Sequence, residues 1–322
     1  MKGYRLNIFN LTVACCIILR SYAAEPVQYE VSGRVTPQGP AQVMLFGTAQ
    51  PFAASAEADQ DGRFRFKKIA AGSYTVAVMV AGRGEARRTI EVGPSSANAK
   101  RRVWLDLNFA DGDFVPGEAA RRQAVTATQL AIPEKAMKDY ADARKALSRH
   151  DGQAAARSLE HAVELAPGFA GAWNELGTIA YQTGRYRRAA ECFRRALEAD
   201  PGAFEPLVNL GGVLISLHEL EEALDDNLRA VLRRPNDPLA NSQLGLTYFE
   251  VGNYDLALKY LTRTVSLDPA HFSKPQLVMA EIHLRRHDRR AAADDLENFL
   301  KYHPEWPQAA KMRADMEEWR KQ

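Results

Sequence analysis

Cysteine is nearly missing from this chain: three among 322 residues, at positions 15, 16 and 192. Two of them fall in an N-terminal apolar stretch, so a chain processed there keeps Cys192 alone and cannot close an internal disulfide. Cys192 sits next to Phe193 in a helical pattern, where a small packed thiol is expected. An excess of one charge is missing too. Lys and Arg number 42 against 40 Asp and Glu, a net charge of +2, which supplies no global field toward nucleic acid or an acidic membrane. The basic clusters Arg185/Arg187/Arg188 and Arg285/Arg286/Arg289/Arg290 have acidic residues interleaved nearby, as on a solvated helix face. Long apolar runs are confined to residues 6–19, too short to span a bilayer comfortably. Catalytic signatures are absent: no G-x-S-x-G, no G-x4-G-K-[ST] and no G-x-G-x-x-G occurs. His283 and His287 have i, i+4 spacing, but Leu284 stands where a zinc-protease helix carries glutamate. No catalytic residue, metal or cofactor is therefore expected.

What the chain does have is a repeat. Residues 172–183 and 187–199 are amphipathic runs flanking a turn at Gly184-Arg185. Trp173, Leu176 and Ala180 recur at helical spacing in the first run, and Ala189, Phe193 and Ala196 in the second. Asp200-Pro201 stops the second helix, because proline lacks an amide proton and restricts its predecessor. Pro167, Pro201, Pro235 and Pro269 are each 34 residues apart, and Pro304 follows after 35. The same shift aligns Gly177 with Gly211 and Gly245, and Ala155 with Ala189, Ala223, Ala257 and, after one inserted residue, Ala292.

In period, small residues and closing prolines, residues 136–304 resemble the tetratricopeptide repeat family. The first unit departs in lacking Trp and Gly at its start, and the fifth carries His287 where others turn at Gly184 or Gly252. The resemblance implies a right-handed α-solenoid of about five helix pairs that binds a protein or peptide partner in its concave groove. Carried over position by position, it implies a groove formed by Asn174, Thr178, Tyr181, Val208, Ile215, Leu246, Phe249, Leu277 and Leu284. Some relatives grip a C-terminal carboxylate with cationic residues there. The matching positions here, Asn174, Thr178, Asn209, Leu239 and Gln243, lack that set. Two occupants of the apolar stripe stay open: an external peptide, or this chain's own linker or C-terminal helix. Residues 308–321 form an amphipathic closing helix of the kind stacked repeats require.

Upstream of the repeats the period changes to two. Residues 74–80 and 103–107 have the β-branched density and alternation of strands. Shorter runs at 31–35, 42–46, 53–58, 63–69 and 86–92 are separated by Gly, Pro and Asp turns. Seven short strands in this span predict a β-sandwich. Asp59-x-Asp61-Gly62 is read as a hairpin turn, since a calcium loop wants glutamate where Ala70 stands. The string S-G-R-V…D-Q-D-G-R-F-R-F-K-K-I-A-A-G-S-Y-T-V resembles the carboxypeptidase-regulatory-like (transthyretin-like) sandwich, which implies an accessory module.

The expected layout is a signal peptide at 1–23, a sandwich at 24–109, a linker and N-terminal cap at 110–135, repeats at 136–305 and a capping helix at 306–322. The repeat units are expected at 136–169, 170–203, 204–237, 238–271 and 273–306. Lys2 and Arg5, the apolar run and Ser21-Tyr22-Ala23 have the form of an export signal. A periplasmic or secreted protein is expected, with membrane attachment only if Cys16 or Cys15 carries lipid. The function that follows is a non-enzymatic scaffold for a protein or peptide, without nucleic acid. A part in envelope or exopolysaccharide assembly, or an enzyme with a dispersed site, is the alternative.

Overall fold

The computed structural model describes residues 27–115 and 132–321; the expected signal at 1–23 and most of the linker lie outside the described residues. Each of the seven runs expected to be extended falls in a strand: β1 (Gln28–Thr36), β2 (Ala41–Gly47), β3 (Ala53–Ala58), β4 (Arg63–Ala70), β5 (Gly72–Val80), β6 (Gly84–Val92) and β7 (Arg102–Asn108). They make two sheets, β4-β1-β7 and β3-β2-β5-β6. All neighbours are antiparallel except β1 and β7. Alternation decides which side chains meet. Val31, Val35, Phe64, Phe66, Val103 and Leu107 face Val43, Leu45, Val76, Val78 and Ile90 in one buried core.

Two details depart from the sequence expectation. The Asp59–Gly62 turn does not close a hairpin, because β3 and β4 belong to different sheets. It carries the chain across: Asp59 Oδ1 accepts from the amides of Asp61 (3.0 Å) and Arg63 (2.8 Å). Gly62 adopts φ 74°, and a Cβ there would stand 2.4 Å from the Val35 carbonyl oxygen, so the turn demands glycine. The sandwich also runs past residue 109. Phe114 packs edge-on to Phe109 at 5.7 Å, and Val115 pairs with Glu85.

Eleven helices follow among the described residues: α1 (Glu134–Leu147), α2 (Gly152–Leu165), α3 (Ala170–Gln182), α4 (Tyr186–Ala199), α5 (Phe204–Ser216), α6 (Leu220–Arg233), α7 (Pro238–Glu250), α8 (Tyr254–Leu267), α9 (Pro275–Arg285), α10 (Arg289–Tyr302) and α11 (Ala309–Trp319). Asp151, Asp237, Asn253 and Asp288 start α2, α7, α8 and α10 by accepting a backbone amide three residues on. Pro238 and Pro275 open α7 and α9, where a missing amide proton costs nothing. Within each pair the small residue of the first helix sits under one side chain of the second. A Cβ on Gly177 would lie 2.7 Å from the Phe193 ring, and one on Gly245 would lie 2.8 Å from Leu261 Cγ.

The same contact in the third unit is polar. Leu159, Phe193, Leu261 and Leu296 occupy one repeat position at 0–2% exposure, and Asn227, fully buried, takes it in unit three. Its partner is equally out of pattern: Thr247 stands where Ile179, Val213 and Ile282 are buried in other units. Asn227 Nδ2 donates to Thr247 Oγ1 at 3.0 Å, joining units three and four. Thr247→Ile should strand the Asn227 amide and cost about 1–3 kcal/mol. Asn227→Leu with Thr247→Ile should return stability to the wild-type level or above it. Urea unfolding of both variants decides this; a double variant no better than the single one would sink the pairing argument.

Candidate functional site

First helices of successive units touch one another, which puts α3, α5, α7 and α9 on the inner side of the curve. The β3-β2-β5-β6 sheet is seated on that side. Ala77 of β5 alternates with the inward-facing Val76 and Val78, so it points away from the sandwich core, yet it is completely buried. Its cross-strand neighbours are Met44 and Arg87. Along β6, alternate residues meet different unit junctions. Arg87 Nη2 lies 3.2 Å from Glu205 Oε1 in the first turn of α5. Two residues on, the Thr89 amide donates to Asp268 Oδ2 at 3.0 Å, at the end of α8. At the other margin, Gln182 Nε2 donates to the Gly47 carbonyl at 2.8 Å, and the Phe52 ring stacks on His150 at 4.3 Å. Pro51 packs so closely on Gly152 that a Cβ there would stand 2.9 Å from Pro51 Cβ.

Charge is concentrated at this seam. Arg87 also pairs with Glu85, while Arg234 Nη1 reaches Glu205 Oε1 at 3.1 Å and its guanidinium lies 3.9 Å from the Phe204 ring centre. Asp237, beside them, caps α7 through the Ala240 amide at 2.9 Å. Burial works against the Arg87 charge, but Glu85, Glu205 and Asp237 together raise its pKa. Burial opposes the Glu205 charge as well; Arg87 and Arg234 outweigh it and hold the carboxyl below its ordinary value. Asp237 and Asp268 are pushed up by burial, with Arg87 and the hydrogen bonds from Thr89, side chain before amide, as the leading counterweights. Lys274, ahead of α9, is pushed down by burial and supported by Glu91 of β6. Ionic and amide bonds, more than apolar packing, thus register the sheet on the array.

The nine residues implied for the groove divide into two sets. Val208 is 1% exposed and packs with Phe204, Leu207, Ala230 and Ala240; Leu277 is 8% exposed in the cluster that includes Met312 and Met316. Leu246 packs between helices. Asn174 accepts from Asn209 at 3.3 Å, and Thr178 bonds back to the Asn174 carbonyl. Val208 and Leu277 are turned into the array, whereas Asn174, Thr178 and Leu246 are half-buried along it. Tyr181, Ile215, Phe249 and Leu284 lie instead at the far ends of α3, α5, α7 and α9, beside Ser216, Glu250 and Arg285. Tyr181 is 38% exposed and meets Tyr186 at 5.6 Å. Arg285 lies over the Phe249 ring at 4.9 Å and donates to the Tyr254 hydroxyl at 2.7 Å. Ile215, Phe249 and Leu284 also pack partly on the array, so the strip beside the seated sheet exposes Tyr181, Ser216 and Arg285 with the edges of those apolar side chains. His283 faces Asp295 at 3.6 Å, while His287 sits in the following turn at φ 62°, so the two do not converge. Cys192 is fully buried, and burial pushes its thiol up to about 11, which keeps it protonated.

Family models described as tetratricopeptide repeat match residues 140–204, 176–241 and 240–271. Residues 140–271 of the helical array are built of tetratricopeptide repeats. The cell division cycle protein 16 homolog of Homo sapiens is 28% identical over 127 residues, covering 37% of this chain and 20% of that protein. The chain thus spans about a fifth of the length of the curated relatives it matches. Among solved structures, MamA from residue 41 onward of Desulfovibrio magneticus RS-1 is similar at TM-score 0.49 and 22% identity, covering 54% of this chain and 98% of that one. YrrB, described as a tetratricopeptide protein with an unusual peptide-binding site, is similar at TM-score 0.47 and 25% identity, covering 59% and 100%.

The seating of the sandwich on the repeats is open to a direct test. Gly152→Leu should wedge Pro51 away, and Arg87→Ala should cost the docked state about 1–3 kcal/mol, since the pair is only partly buried. Either change should raise the radius of gyration in solution scattering and speed amide exchange at Thr89. Unchanged scattering and exchange in both variants would show that the seam does not hold the two parts together.

Proposed function

We propose that this chain is an exported, non-enzymatic adaptor whose tetratricopeptide array grips a protein or peptide on the strip left free beside its own β-sandwich. The tetratricopeptide fold supports protein binding, and the observation that carries the finer reading is the strip itself. Tyr181, Ile215, Phe249 and Leu284 line up at equivalent ends of four first helices, where the seated sheet leaves Tyr181, Ser216 and Arg285 exposed. Aromatic rings flanked by Ser216, Glu250 and Arg285 suit an extended peptide that is apolar in the middle and polar at its edges. The sandwich, similar in sequence to carboxypeptidase-regulatory-like modules, serves in this reading as a built-in occupant that fixes the width of the free strip. Export rests on residues 1–23 alone, whose pattern is that of a signal peptide.

A photoreactive phenylalanine analogue placed at Tyr181 or Ser216 should cross-link one protein in a cell-envelope extract. The same analogue at Leu232, which is 78% exposed on a second helix, should give no such product. Phe249→Glu should weaken that capture at least tenfold, about the loss of one anchor residue, with the fold intact by circular dichroism. Gly152→Leu separates the two possible sites. If lifting the sandwich increases capture, the partner competes with the sheet for the covered face and the strip is not the site.

A further inference from the structure

The outer face of the other sheet, β4-β1-β7, points away from the repeats and carries a different chemistry. Register places Ser32 of β1 between Arg65 of β4 and Trp104 of β7, and Arg34 between Arg63 and Asp106; Glu30 pairs with Arg102. Alternation sends Phe64, Phe66, Val103 and Leu107 inward, so these polar neighbours and Lys67 all face outward. Arg34, Arg63, Arg65, Lys67 and Arg102 then stand against Glu30 and Asp106 on this face and Asp61 at its edge, which pairs with Arg63 at 3.5 Å. Arg34 and Arg63 are directly opposed in an antiparallel pair, an arrangement that costs stability. Arg34 Nε is buried without a hydrogen-bond partner, and among the described residues Arg65 and Lys67 have no ion pair. In the same plane Trp104 is 56% exposed. Its indole Nε1 is already committed to Asp106 Oδ1 at 3.0 Å, so the ring offers outward apolar area alone.

We propose that this face docks on an anionic phospholipid surface, with Trp104 entering the headgroup layer and the opposed arginines pairing with lipid phosphates. Charge complementarity selects an anion. The layout selects a plane rather than a strand: the cations spread over three strands and continue round one end to Lys68, an exposed residue of β4 at positive φ, and Arg101, at positive φ in the exposed bend ahead of β7. A flat face of this kind matches a bilayer, where tryptophan favours the interface and each cation adds attraction. Docking here leaves the strip from Tyr181 to Arg285 untouched, because the two lie on opposite sides of the sandwich's core.

The test uses the full chain and vesicles of phosphatidylcholine with about a third phosphatidylglycerol. The protein should co-sediment with these and not with pure phosphatidylcholine, and salt should weaken the binding. Arg34→Gln with Arg63→Gln and Arg65→Gln should lower it at least tenfold, on the order expected for three lost cations. The vesicles should shift tryptophan emission to the blue, and Trp104→Phe should abolish that shift. Should the triple variant lose its fold by circular dichroism, Arg65→Gln and Lys67→Gln, both fully at the surface, carry the same comparison. Equal binding to neutral vesicles, unchanged binding of the charge-stripped chain, or retention on acidic polysaccharide beads without vesicle binding would each overturn the proposal.

Discussion

Compensation of buried charge across the seam between β6 and the array is the constraint on which the arrangement depends. Arg87 is tolerable under the repeats because Glu85, Glu205 and Asp237 surround it, and Glu205 in turn because Arg234 approaches from the other side. Each group alone would pay a desolvation cost larger than any single contact returns. The seam also joins two periodicities. A strand repeats every two residues, so Arg87, Thr89 and Glu91 share one face. The repeats deliver one junction about every 34 residues; Glu205 stands at the one between units two and three, and Asp268 and Lys274 flank the one between units four and five. A one-residue slip of β6 would put Arg88 and Ile90 against those carboxylates and Arg87 into the sandwich core, so the register is strongly specified.

Ionic seams fix position more firmly than they drive association. The net gain of a buried ion pair over its desolvation is small, and polar interdomain contacts of this kind permit motion. The sandwich is therefore well placed yet weakly held, which suits an accessory module that narrows a binding surface without burying it permanently. The polar outlier within the repeats works along the same line. Asn227 and Thr247 place a hydrogen bond between units three and four at positions that other units fill with apolar side chains.

Much of the architecture was legible because it is periodic. Alternation, β-branched density and turn residues between short runs marked the seven strands, and the closing prolines with Gly177, Gly211 and Gly245 marked the helix pairs. What stayed hidden is what requires two distant segments at once. Glu205 and Asp268 look like ordinary polar residues of helix ends until β6 arrives from more than a hundred positions upstream. Val208 and Leu277 were assigned to the groove by repeat position, yet they pack inside the array, because the same positions serve either role depending on neighbouring side chains. Asn227 offered a clue in being the one polar member of the series Leu159, Phe193, Leu261 and Leu296, and so did Thr247 in its own series.

Composition concealed the basic sheet face for a similar reason. Arg34, Arg65 and Arg102 are separated by tens of residues and diluted by an even balance of charge; pairing β1 with both β4 and β7 brings them side by side. The two outer faces of the sandwich consequently differ in reach as well as in charge. Toward the repeats stand Ser73, Thr75, Ala77 and Thr89, short enough for a sheet to approach helices closely, with Arg87 and Glu91 extended only where a junction meets them. Toward solvent stand arginines, Lys67 and a projecting indole, which would hold a helical surface away. Side-chain length therefore selects which sheet the array accepts, and that selection leaves the cationic face outward.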